Sequence, residues 1–190
     1  MIAHKLLGLA LLPGCIGAAP HASRPARGAV DSLTICELFE HLTRYNGRVI
    51  TITGPIIKHL GYVVGPADCD HRFVTHGFIW PSMVLLATTA ASELYGAPAP
   101  FSTDQASVHA LDLAILAATK ETEVWVTVTG ELRLKKHYHL VHTNYGVLGD
   151  GYGHLGASPA LLLIRKVDHV DARTAPAPSA TRPTRSPPAN

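Results

Sequence analysis

The sequence predicts a mainly β domain: five strands rolled into a small barrel, one helix between the third and fourth strands, and an extra helix on the N-terminal side. Three observations predict it. β-Branched and polar residues alternate over residues 48–58 and 123–135, the period-two pattern of half-buried strands. The run Ile50-Thr51-Ile52-Thr53-Gly54 recurs as Val126-Thr127-Val128-Thr129-Gly130. A glycine after such a run lets a strand coil sharply, as closing a small barrel requires. Finally, Val108, Leu111, Ile115 and Ala118 mark a helical stripe, with strand-like segments on both sides of it.

The elements come in the order of the chain. Thr34 and Glu37 have capping-box spacing, and Ile35, Leu38, Phe39 and Leu42 then share one helical face. Tyr45-Asn46-Gly47 stops this helix, with Gly47 suited to a left-handed turn. Residues 48–58 form the first strand, with a bulge or bend expected at Gly54-Pro55. Residues 62–64 form a short second strand between Gly61 and Gly65. The third strand region lies within residues 73–88, broken by Pro81. Ser102 and Gln105 again have capping-box spacing and start a helix that runs to about Lys120. Residues 123–135 are the cleanest strand, with Val124, Val126, Val128, Leu132 and Leu134 on one face. Residues 136–158 read as a long loop rich in Gly, Tyr and His, and residues 160–167 as the last strand.

That order resembles the OB-fold, a five-stranded Greek-key barrel with a helix between strands three and four. Residues 45–54, Asp68-Cys69 and Gly151-Tyr152-Gly153-His154-Leu155-Gly156-Ala157 are similar to segments of OB-fold domains in exported bacterial proteins. The resemblance spans residues 32–170 and implies a barrel. It brings no catalytic residues with it.

The chain divides into a leader (1–22, or 1–14 if lipidated), a linker (23–31), the OB-fold-like domain (32–171) and a Pro/Ala-rich basic tail (172–190) expected to be disordered. Lys5 and the apolar residues 6–12 read as a secretory signal. Leu12-Pro13-Gly14-Cys15 is close to a lipobox, which would lipidate Cys15; cleavage near Ala19 or Ala22 would instead release a soluble protein. Either way the chain is expected outside the cytosol, in the periplasm, the cell envelope or the medium. There, Cys36 and Cys69 are the remaining pair and read as a disulfide, against the alternative of two unrelated buried thiols.

Of 190 residues, 47% are hydrophobic, enough for a core, and no apolar run reaches the roughly 18 residues of a membrane span. The net charge of +2 comes from 16 basic and 14 acidic residues. Lys5, Arg24, Arg27, Arg173, Arg182 and Arg185 lie outside residues 31–171, which leaves 10 basic residues against 14 acids, a net of −4. An acidic, exported domain argues against nucleic acid as a partner. A membrane enters only through a lipid on Cys15.

Histidine is the unusual residue, at 12 copies. His137, His139 and His142 have spacing that can bring three imidazoles to one Zn or Cu ion, against the plainer reading of solvent-facing loop residues. Tyr138, Tyr145, Tyr152 and His154 of the same loop are candidate ligand-binding residues, with His154 more readily a polar tie for a glycine-rich turn. Asp68, Asp70 and His71 can bind a cation or serve as acid and base, or simply turn the chain around Cys69. Trp80, Trp125 and Tyr62 can stack a ligand, or pack. No nucleophile elbow, phosphate loop or dinucleotide fingerprint is present. The expectation is a non-enzymatic binding module for a small molecule or an envelope protein, with no cofactor. A Zn/Cu-binding protein and a metal-dependent hydrolase are the alternatives.

Overall fold

The computed structural model describes residues 32–57, 62–65, 68–144 and 146–174. The expected leader with Cys15, the expected linker, Tyr145 and residues 175–190 lie outside them. The fold is mainly β. Six strands form one sheet: β1 (Leu33–Thr34), β2 (Val49–Pro55), β3 (Val63–Val64), β6 (Val84–Ala87), β7 (Thr122–Leu134) and β10 (Ala160–Thr174). Their order across it is β1-β2-β7-β10-β6-β3. Two hairpins stand apart from the sheet: β4 (Val74–Thr75) pairs with β5 (Phe78–Ile79), and β8 (Leu140–Thr143) with β9 (Gly146–Gly149). The expected count of five strands is therefore exceeded.

β1 pairs with β2, and β6 with β10, in parallel; the other ladders are antiparallel. The sheet curls into a half-barrel until its two sides meet. Ile56 bridges Val64, Ile57 N donates to Val63 O at 2.8 Å, and Gly65 N donates to Pro55 O at 2.9 Å. The register of β2 on β7 is unbroken through Gly54-Pro55, so the bend expected there is not a bulge. The irregularities fall in β10, between Ile164 and Lys166 and between Val167 and His169. Bulges of this kind sharpen local twist.

The two echoed pentapeptides are antiparallel mates. Ile50 faces Gly130, Ile52 faces Val128, and Gly54 faces Val126. Their threonines pair on the outer face: Thr51 and Thr129 hydroxyls lie 2.7 Å apart, Thr53 and Thr127 hydroxyls 2.9 Å apart. Both glycines are sites of close approach. A Cβ at Gly54 would meet Val64 and Ile35 side chains, and one at Gly130 would meet the Leu163 carbonyl and Leu162.

α1 (Ile35–Glu40) starts at the predicted box: Thr34 N donates to Glu37 Oε2 at 2.7 Å, and Glu37 N to Thr34 Oγ1 at 3.3 Å. It buries Ile35, Leu38 and Phe39. A 3-10 turn, Leu42–Tyr45, then leads to Gly47 at φ +73°. α2 (Gln105–Ala117) is capped by Asp104, not Ser102: Asp104 Oδ1 accepts from Ala106 N and Ser107 N. It ends before Lys120, at Ala117.

The main core lies inside the curl and includes Ile52, Val64, Leu111, Val128, Leu132, Leu162 and Ile164. A second cluster, with Leu85, Tyr152, Leu161 and Leu163, covers the outer face of β6 and β10. Residues 160–164 are thus buried on both faces, which explains their unbroken apolar run. β10 then continues past Val167, because its polar second half still pairs with β7 up to Thr174–Thr122. Cys36 and Cys69 are joined, with Cα atoms 5.2 Å apart, tying α1 to the segment before β4.

Two outcomes are expected. Replacing Gly130 with Val forces the β7–β10 ladder apart and lowers stability by about 2–3 kcal/mol; an unchanged urea midpoint would contradict the close approach. Cys36→Ser opens a loop of sequence separation 33 and costs about 3–4 kcal/mol on the chain-entropy model. Mass analysis of the unreduced protein should show the Cys36–Cys69 link, and free thiols there would disprove it.

Candidate functional site

The segment between β7 and β10 is the candidate site. Its base is closed, because Leu134 and Ala160 face each other in the β7–β10 ladder. It is not an open loop as expected but holds the β8–β9 hairpin and a 3-10 turn, His154–Gly156. The hairpin registers Leu140 on Gly149 and His142 on Val147.

Aromatic packing fixes this segment to the barrel. Trp80 is almost fully buried, and its Nε1 donates to Thr75 Oγ1 at 2.8 Å. Its ring meets Tyr138 edge-on at 5.0 Å and Phe78 at 5.0 Å, and Phe73 meets Tyr138 at 5.4 Å. Gly149 and Gly151 pass over the Trp80 ring so closely that a Cβ at either would overlap it. These glycines are needed for contact, not for unusual φ. The Tyr138 hydroxyl donates to the Pro159 carbonyl.

A polar brace completes the anchor. Asp150 Oδ1 accepts from His139 N at 2.9 Å, and Asp150 N donates to His139 O at 3.1 Å. The Lys135 ammonium lies 3.7 Å from Asp150 Oδ2, donates to the Asp150 carbonyl, and sits 5.7 Å from the Tyr152 ring centroid. Tyr152 and Ser158 exchange backbone hydrogen bonds at 2.6 and 3.0 Å, and Gly151 N donates to Gly156 O at 2.8 Å.

Tyr138 and Tyr152, candidate ligand residues in the sequence, are therefore buried supports. Burial pushes both phenols above the ordinary value near 10; for Tyr152 the charge of Arg133 opposes this. The His154 side chain is exposed, and backbone bonds, not its ring, brace the glycine-rich turn. The recess bounded by Tyr152, His154 and Val63 has a volume of about 10 Å³, too small for more than a water. Tyr145 lies outside the described residues.

His137, His139 and His142 are exposed. Among the described residues, no group of three His, Cys, Asp or Glu side chains comes together to hold a metal ion. Asp68, Asp70 and His71 do not converge either. Asp68 pairs with Arg72 at 3.4 Å, and His71 turns to Glu40 of α1 at 3.8 Å. Of the other aromatics, Trp125 donates to Glu123 at 2.7 Å and is covered by Arg173, 4.5 Å from its ring. Tyr62 donates to Asp112.

Sequence reasoning missed Trp80 as the seat of the loop and Asp150 as its brace. The Gly149/Gly151 pair was the available signal, since glycines two apart on a strand-like run leave one face bare. It also missed Leu113 and Leu116, which stand off the helical stripe of α2. Comparison with protein families, curated proteins and solved structures finds no match for the chain.

The raised phenols predict alkaline behaviour. The folded state holds the Tyr138 proton more tightly than the unfolded chain, whose tyrosines ionise near 10. The contribution of this phenol to stability is then constant below about pH 10 and falls as pH rises past it. Tyr138→Phe should shrink this fall, while costing about 1–2 kcal/mol at neutral pH for the unpaired Pro159 carbonyl. Urea midpoints from pH 7 to 11 measure both, and an unaltered alkaline slope would refute the assignment.

Proposed function

We propose that this chain is an exported OB-fold-like module that binds a partner of the cell envelope through residues 136–158 and carries out no reaction of its own. The ring of pairings β2-β3-β6-β10-β7, with β6 and β10 its only parallel neighbours and α2 between β6 and β7, supports the barrel assignment. In such a barrel the connection between the last two strands borders the ligand face. The leader and the Cys36–Cys69 link support export, either with a lipid on Cys15 or after cleavage near Ala19 or Ala22.

One observation carries the binding reading. The segment is anchored from below by Trp80, Tyr138 and Asp150, yet it exposes apolar Val141 (48%), Val147 (41%) and Leu155 (65%), with exposed His142 registered on Val147. Loops positioned by a rigid scaffold are where binding residues concentrate. Its cost in ordering on binding is already met by the fold.

A photo-crosslinking side chain at Val141 or Leu155, in chain exposed to a bacterial envelope fraction, should give a discrete adduct. The same group at Leu94, 83% exposed and outside residues 136–158, should not. Equal labelling at Leu94, or no adduct from the loop positions, would overturn the proposal.

A further inference from the structure

The outer side of α2 carries apolar residues that the core does not use. Val108 and Leu111 are buried, whereas Leu113 is 53% and Leu116 81% exposed. Beside them runs an open groove of about 440 Å³, lined by Tyr62, His109, Asp112, Leu113, Ile115 and Leu116. Its size is in the range that holds ligands. The Tyr62 hydroxyl donates to Asp112 Oδ1, which fixes the carboxylate at the groove. Among the described residues Asp112 has no cationic partner.

The topology delivers a complementary segment to this place. α2 lies beside the second half of β10. Asp104 N donates to Arg165 O at 2.8 Å, and Val167 N donates to Ser107 Oγ at 2.9 Å. Thr122, shortly after α2, pairs with Thr174. The described chain therefore ends near the C-terminal end of α2. Residues 175–190 contain Pro176, Pro178, Arg182, Pro183, Arg185, Pro187 and Pro188, and no acid.

Proline-rich chain favours the extended polyproline helix, loses little entropy on docking, and suits grooves with an aromatic wall. At about 3.1 Å per residue, the stretch from Thr174 to Arg182 spans roughly 25 Å. α2 is only about 20 Å long, so Arg182 can reach Asp112. We infer that residues 175–190 dock in the α2 groove of the same molecule, with prolines against Tyr62, Leu113 and Leu116 and Arg182 paired with Asp112. The segment then covers apolar surface that would otherwise face water, and its cation meets the carboxylate that the Tyr62 hydroxyl holds.

Paramagnetic relaxation tests this on the full chain. A nitroxide is attached at Ala180→Cys in a Cys15→Ser background, without reducing the Cys36–Cys69 link. The amide signals of His109, Leu113 and Leu116 should lose most of their intensity in dilute protein, while those of Val141 and His142 should not. Leu116→Asp, and separately Arg182→Glu, should restore them. Full intensity at α2 in the labelled chain without Leu116→Asp or Arg182→Glu would overturn the inference. So would broadening that appears only when nitroxide-bearing chain is mixed with isotope-labelled chain free of nitroxide, because the occupant would then be a second copy.

Discussion

β7 is paired along both edges, with β2 on one side and β10 on the other, and the rest of the fold depends on that double pairing. A strand flanked this way must let both neighbours approach while the sheet coils around it. Gly130 meets that demand on the β10 side, where no side chain fits against the Leu163 carbonyl. On the β2 side the match is made by hydroxyls, Thr51 to Thr129 and Thr53 to Thr127. The repeated pentapeptide is therefore two halves of one ladder: reversing one copy places β-branched residues inward and threonines outward on both strands.

The candidate site inherits its rigidity from that ladder. The rung between Leu134 and Ala160 holds the two ends of the loop side by side, so the loop need not be ordered from afar. Trp80 arrives from a different part of the chain, beside the β4–β5 hairpin, whose tight turn uses His76 and Gly77 at positive φ. The disulfide tethers the segment leading into this hairpin to α1. Trp80 and Tyr138, from two separate parts of the sequence, thus meet beneath Gly149 and Gly151.

Much of the frame is legible in the sequence because it rests on local rules. The Thr34–Glu37 box and the alternation in β7 depend only on neighbouring residues, and both are where they are expected. The cysteine pairing is legible from compartment logic alone. The rest depends on contacts far apart in the chain. β4–β5 and β8–β9 are too short to show a period. The second half of β10 is polar because its outward face meets water, so only its register on β7 reveals it as strand. Tyr138 and Tyr152 look like loop tyrosines until Trp80 and the Lys135–Asp150 brace close over them. The loop histidines are legible as exposed, but their spacing says nothing of convergence, because the hairpin sets their directions.

The chain has two tryptophans, and the fold assigns them opposite surroundings. Trp80 is sealed under the loop, while Trp125 is partly open to solvent under the Arg173 guanidinium, one residue before the described chain ends. Blue emission therefore reports whether the loop is seated, and red emission reports events where β10 gives way to the basic segment. The molecule carries its own two-channel fluorescence readout, one channel beneath the loop and one at the end of β10, without any added dye.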